Sequence, residues 1–285
     1  MNPVDMSLAL RLAKACDCSY FVDVPGGITT CPDYAAVGFT EVPKAYTIDA
    51  INACYVGTAD DAVILTFRGT LPLTFVSREA FLQSLLDWLN DADMLQIPLD
   101  GIVGLVHQGF ARTLLQLWPL FIDELQQQLA GGKPLYVTGH SKGGAVAFLA
   151  ASRLVGLQIA TPQVFTYAAP RAGNADFAKD YHKNISSSWR FEITDDIVPH
   201  LPSTNRTLEI LKELDPRFRT LALPTFQSAG LLEFINWSRE IVTPDSFWLD
   251  LDRSAHLARL ILEFQFAQIG DDHRLVTSYM PGLGG

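Results

Sequence analysis

The sequence predicts an α/β fold with a mostly parallel central sheet flanked by helices. From Leu135 to Thr194, short buried-strand runs alternate with helical patterns, the order that places parallel strands side by side with helices on both faces. With 285 residues, 48% of them hydrophobic, the chain can enclose one large core. No internal repeat, low-complexity tract or linker divides it, so residues 1–285 are expected to form a single domain.

The elements follow in order. After Asp5, the recurrence of Leu8, Leu12 and Cys16 reads as an amphipathic helix lying as a cover on the body of the protein. Ile51 to Val56 and Ala62 to Phe67 are β-rich runs joined by a short loop, and Arg68-Gly69-Thr70 ends the second. Leu71 to Leu86 is mostly apolar but broken by Pro72 and Arg78-Glu79. It fits either a movable cover or an ordinary packed helix. Phe110, Leu114, Leu117, Phe121, Leu125 and Leu129 mark a helix that stops at Gly131-Gly132, with Pro119 expected to bend it. Leu135 to Thr138 is a strand, Gly139 to Gly143 a turn, and Ala145 to Leu154 a helix of small and apolar residues. A strand at Val164 to Ala168, a polar helix near Asn174 to Lys183 and a strand at Arg190 to Thr194 complete this region. The last 80 or so residues look helical, notably Phe247 to Phe266, so a helix-rich C-terminal insertion is expected over 206–268.

Charge and composition remove several functions. A net charge of −10, with no Lys/Arg cluster longer than a pair, offers no surface for a phosphate backbone, so nucleic acid is not expected as a partner. No apolar run reaches 18 residues, which predicts no transmembrane segment. Met1 to Phe21 lacks the pattern of a secretory leader. The chain reads as soluble, cytoplasmic or secreted by a route without a visible signal peptide. Cys16, Cys18, Cys31 and Cys54 have no metal-ligand spacing and favour buried free thiols, with room for one disulfide. No metal cluster or nucleotide fingerprint appears, and no cofactor is expected.

Gly139-His140-Ser141-Lys142-Gly143 fits G-x-S-x-G, the elbow that holds a nucleophilic serine at a strained bend between strand and helix in α/β hydrolases. Chance alone yields such a pentapeptide in roughly one chain of this size in ten, so its context matters more than its spelling. Here it follows an apolar strand, opens a helix, and is continued by the small pair Gly144-Ala145. A serine hydroxyl needs a base and a group to orient that base, and in this fold they follow in the order acid, then histidine. Asp195 and Asp196 end a strand at the carboxyl edge of the expected sheet. Of the six histidines, His107 precedes the serine, His140 is its neighbour and is expected to point elsewhere, His182 lies on a polar helix, and His200 is too near the acid. His256 and His273 remain. His273 is preferred because it follows Gly270-Asp271-Asp272 in a loop, whereas His256 falls inside a helical pattern.

Beyond the elbow, three segments make the chain resemble the class 3, fungal-type triacylglycerol lipases: Phe67-Arg68-Gly69-Thr70, Val106-His107-Gln108-Gly109-Phe110, and Asp196-Ile197-Val198-Pro199-His200-Leu201-Pro202. The resemblance implies Ser141 as nucleophile and Asp196 as triad acid, beside the base read from loop position, His273, with His256 the alternative. It implies an oxyanion hole from Thr70 and the backbone N–H of Lys142, supported by Asp91 in Trp88-Leu89-Asn90-Asp91. An apolar segment between two catalytic elements makes 71–92 a candidate lid, with an ordinary packed helix the alternative. Three departures stand out: Lys142 replaces the usual apolar residue, Leu71 to Leu86 looks inserted, and the interval from Asp196 to His273 is long. The implied activity is carboxylic-ester hydrolysis, most naturally on acylglycerols at a lipid–water interface. Short-chain carboxylesterase, phospholipase A1 and feruloyl esterase share the same machinery, and a catalytically silent binding protein is the contrasting class.

Overall fold

The computed structural model describes residues 4–23, 27–28, 31, 33–70, 95–194, 196–202, 224–242 and 271–285. Its main sheet contains β1 (Lys44–Thr47), β2 (Ala53–Thr58), β3 (Val63–Phe67), β4 (Leu135–His140), β5 (Gln163–Tyr167), β6 (Ser188–Ile193), β7 (Leu231–Ile235) and β8 (Ile241–Val242). Across the sheet these strands stand in the order of the chain. β1, β2 and β3 form an antiparallel meander, β3 to β7 run parallel, and β8 returns antiparallel to β7. The mostly parallel sheet read from the sequence is therefore present.

Alternation along the strands divides the core into two layers. Val63, Leu65 and Phe67 of β3 join the layer built with α2 (Gln108–Leu129) and α3 (Lys142–Gly156), while Ile64 between them joins the opposite layer with α1 (Met6–Cys18). α1 starts at Asp5, whose carboxylate accepts the Ser7 and Leu8 amides, and buries Ala9, Leu12 and Cys16. It is the expected cover. In α3 the small side chains of Ala145, Ala147, Ala150 and Ala151 are wholly buried, so the helix lies close to the strands on either side of it. Pro119 sits inside α2 without ending it.

Two expectations change. Within 206–268 the described residues form β7 and β8 rather than helix. Leu231-Leu232-Glu233-Phe234-Ile235 is a short, largely apolar run whose pattern fits a buried strand or a buried helix equally, and pairing with β6 decides it. Cys18 and Cys31 form a disulfide, leaving Cys16 and Cys54 as the buried free thiols. The candidate lid at 71–92 with its Asp91, and Phe247 to Phe266 with His256, lie outside the described residues. Among the described residues, no helix is long and apolar enough to cross a membrane.

Candidate active site

Ser141 occupies the single residue between β4 and α3, with φ 56° and ψ −133°. A side chain adopts such a backbone only when its surroundings enforce it. The glycines around it supply the enforcement. A Cβ on Gly139 would lie 2.2 Å from the Gly143 carbonyl oxygen, and one on Gly143 would lie 2.2 Å from that of Phe67. Strand and helix thus approach through bare backbone, and the bend is locked by the Ser141 amide on the Tyr167 carbonyl, 2.9 Å, and the Gly144 amide on the Ser141 carbonyl, 2.8 Å.

Asp196 emerges just beyond β6, the strand two places from β4, and its amide closes a turn on the Ile193 carbonyl at 3.0 Å. Its buried carboxylate accepts the Val198 amide at Oδ1, 2.9 Å, and the Tyr279 hydroxyl at Oδ2, 2.7 Å. Burial first, then the charge of Asp196, pushes the Tyr279 phenol well above its ordinary range, so this hydroxyl stays a donor. His273 comes from the loop after all the described strands. That loop is tied to the end of β6 by the Thr194 hydroxyl, which donates to Asp272 Oδ2 at 2.8 Å.

The structure brings Ser141, His273 and Asp196 into one line. His273 Nδ1 lies 3.0 Å from both carboxylate oxygens of Asp196, and Nε2 lies 2.9 Å from Ser141 Oγ. An ionised carboxylate only accepts, so Nδ1 carries the proton and Nε2 offers its lone pair to the serine hydroxyl.

Thr70 stands three residues past the end of β3 and is exposed. Its neighbour Gly69 packs so tightly beside the elbow that a Cβ there would be 3.1 Å from the Ser141 Cβ and 2.6 Å from the His140 carbonyl oxygen. The register pairing Phe67 with Gly139 brings this end of β3 alongside the bend. Lys142 is the first residue of α3, where backbone amides lack intrahelical partners. Its side chain reaches sideways, and Nζ donates to Asn52 Oδ1 at 2.7 Å. The Lys142 cation is thus tied to the rim of the sheet.

Three further groups at the site were not selected from the sequence. Tyr279 holds the acid. His140, expected to point elsewhere, has its ring 4.9 Å from that of His273, and its Nε2 lies 2.9 Å from the His273 carbonyl oxygen. Its Nδ1 lies 2.7 Å from the Tyr20 hydroxyl. Burial first, with neighbouring His273 second, holds the His140 imidazole well below the usual histidine range. Nothing in local spacing separates these residues from ordinary core aromatics, because the contacts span 83 to 133 positions of sequence.

No group of metal-ligating side chains occurs among the described residues. The secreted mono- and diacylglycerol lipase A of Penicillium cyclopium is 32% identical over 180 residues, which cover 60% of this chain and 54% of the relative. The chloroplastic phospholipase A(1) DAD1 of Arabidopsis thaliana is 26% identical over 219 residues, 67% of this chain and 45% of that protein. The chain therefore spans about half the length of the curated relatives it matches. A crystal structure of a mutant of MDLA from Penicillium cyclopium superposes with a TM-score of 0.57 at 24% identity, covering 85% of this chain and 80% of that one. It shares the fold. The family model described as Lipase (class 3) matches residues 64–206, half of the chain, and by that match the chain belongs to the class 3 lipase family.

Proposed function

We propose that this chain is a serine carboxylic-ester hydrolase acting on acylglycerols, with Ser141 as nucleophile, His273 as base and Asp196 as the acid that orients it. The observation that carries this reading is the hydrogen-bonded line from Ser141 Oγ through His273 to Asp196. As Oγ attacks the ester carbonyl, its proton passes to His273 Nε2, and the imidazolium is stabilised by the buried carboxylate. The tetrahedral oxyanion meets the backbone amides of Thr70 and Lys142. Their donation matters mainly in the transition state, where losing one donor costs on the order of 3 kcal/mol. Collapse of the intermediate returns the proton to the leaving alcohol and leaves an acyl-serine. Water, deprotonated by the same imidazole, then releases the acid.

Acylglycerols are favoured as substrates by the names of the fungal relatives. The relative named as a phospholipase A(1) supports diacyl phospholipids as a second reading. The disulfide between Cys18 and Cys31 favours secretion over a cytoplasmic location, since such bonds persist in oxidising compartments. A p-nitrophenyl ester series of increasing acyl length, followed by emulsified acylglycerol and phospholipid, tests the assignment. Turnover that vanishes in Ser141→Ala, with fluorophosphonate labelling lost in the same variant, is the expected result. A folded wild-type protein that neither turns over any ester nor takes the label overturns it in favour of a silent binding protein.

A further inference from the structure

One close packing contact and two hydrogen bonds connect the two halves of the site without touching the reacting atoms. The Tyr20 hydroxyl packs against the bare backbone of Gly69, next to Thr70, where a Cβ would come within 2.4 Å of its oxygen. The Tyr20 hydroxyl lies 2.7 Å from His140 Nδ1, and His140 Nε2 lies 2.9 Å from the His273 carbonyl. A carbonyl only accepts, so Nε2 carries the ring proton and Nδ1 accepts from the tyrosine. Direction is therefore fixed at both hydrogen bonds: Tyr20 donates to His140, and His140 donates to the His273 carbonyl.

We propose that Tyr20 and His140 are positioning residues that set the distance between the oxyanion strand and the base. The inference rests on the triad reading above. The Tyr20 oxygen fills the space left by the missing side chain of Gly69 and so fixes how far the Arg68-Gly69-Thr70 segment stands from the elbow. His140 holds the main chain of His273, so the imidazole is fixed at its backbone as well as at Asp196. Tyr20 is itself bracketed. Two residues before it, Cys18 is bonded to Cys31, and two residues after it the Val22 carbonyl accepts from Arg68 Nη1 at 3.3 Å. That bracket makes α1 more than a cover, because the 3-10 turn Ser19–Phe21 that continues it carries the hydroxyl that links both halves. Burial of His140 keeps the ring neutral and preserves the pattern of donors.

Such a device acts on alignment in the transition state and not on substrate affinity, and a misplacement well below 1 Å is enough to cost about tenfold in rate. Tyr20→Phe removes one oxygen and leaves the ring. Measured on a soluble p-nitrophenyl ester, it is expected to lower kcat about tenfold, to leave KM within about twofold, and to slow fluorophosphonate labelling in proportion to kcat. Glutamine places an amide N–H near the reach of histidine Nε2, so His140→Gln restores the bond to the His273 carbonyl and His140→Leu does not. The glutamine variant is expected to turn over at least about fivefold faster than the leucine variant.

A folded Tyr20→Phe protein with kcat within twofold of wild type overturns the proposal, as does a loss that appears wholly in KM. If Tyr20→Phe fails to fold, the histidine pair decides: equal kcat for His140→Gln and His140→Leu overturns the proposal. Failure of the underlying triad reading looks different, since the wild-type protein itself would then lack turnover.

Discussion

Gly143→Ala probes the closest approach in the site. The added methyl group would stand 2.2 Å from the Phe67 carbonyl oxygen and 2.8 Å from the Arg68 carbonyl carbon, both backbone atoms that cannot rotate away. Restoring a tolerable contact requires α3 and the end of β3 to separate by about 1 Å, given ordinary contact distances of roughly 3.5 Å. The displaced elements carry Lys142 and Thr70, the two proposed oxyanion donors, so the gap opens across the oxyanion hole itself. A misplacement of that size costs about a hundredfold in rate, and the overpacking adds about 1–3 kcal/mol of instability. The assay is kcat/KM on a soluble p-nitrophenyl ester beside a thermal melt. Gly131→Ala serves as the control, because its Cβ would meet nothing nearer than 3.8 Å. A Gly143→Ala protein with kcat/KM within threefold of wild type would refute the steric reasoning.

Asp196→Asn should keep the fold and lose about ten-thousandfold in kcat, the scale of a wrong histidine tautomer. The Val198 amide requires an acceptor at the Oδ1 position, so the new NH2 takes the Oδ2 position, where it opposes both the Nδ1 proton and the Tyr279 hydroxyl and favours the tautomer with the ring proton facing Ser141. Retention of a tenth of wild-type kcat would count against it. Replacing Cys18 and Cys31 together by serine removes a cross-link of sequence separation 13, which is worth about 3 kcal/mol by chain entropy. An unchanged urea midpoint would contradict that figure. His140 is neutral in the folded protein well below its ordinary value of 6.5, whereas the unfolded chain binds a proton there. Stability is therefore full above pH 6.5 and falls as pH drops below it, by a slope approaching about 1.4 kcal/mol per pH unit. Denaturant titrations at several pH values should show that slope reduced by one proton in His140→Gln, and an identical slope in both proteins would exclude His140 as its source.

Residues close together in sequence made much of the site legible. The elbow could be read because glycine spacing, an apolar strand and a small-residue helix all fall within 20 positions of Ser141. Asp196 was readable as a carboxylate at the end of a strand. His273 was preferred by loop position over His256, and the structure sets His273 beside Ser141 and Asp196. The roles of Tyr20, His140 and Tyr279 are not legible in the sequence, because they arise from contacts that only the folded chain creates. For β7 the reason is different. A five-residue apolar run has too few turns of either period to identify itself, and its identity comes from the neighbour it pairs with. The disulfide is similar, since 13 intervening positions say nothing about whether two sulfur atoms meet.

Because the described strands of the main sheet stand in chain order and His273 follows them all, the base is synthesised 132 positions after the nucleophile. A chain that has formed the bend at Ser141 but not yet added residue 273 holds an ordinary alcohol there, without the proposed base beside it. On the proposed triad, the hydroxyl gains its base only when the loop carrying His273 docks at the end of β6, through Thr194 and Asp272.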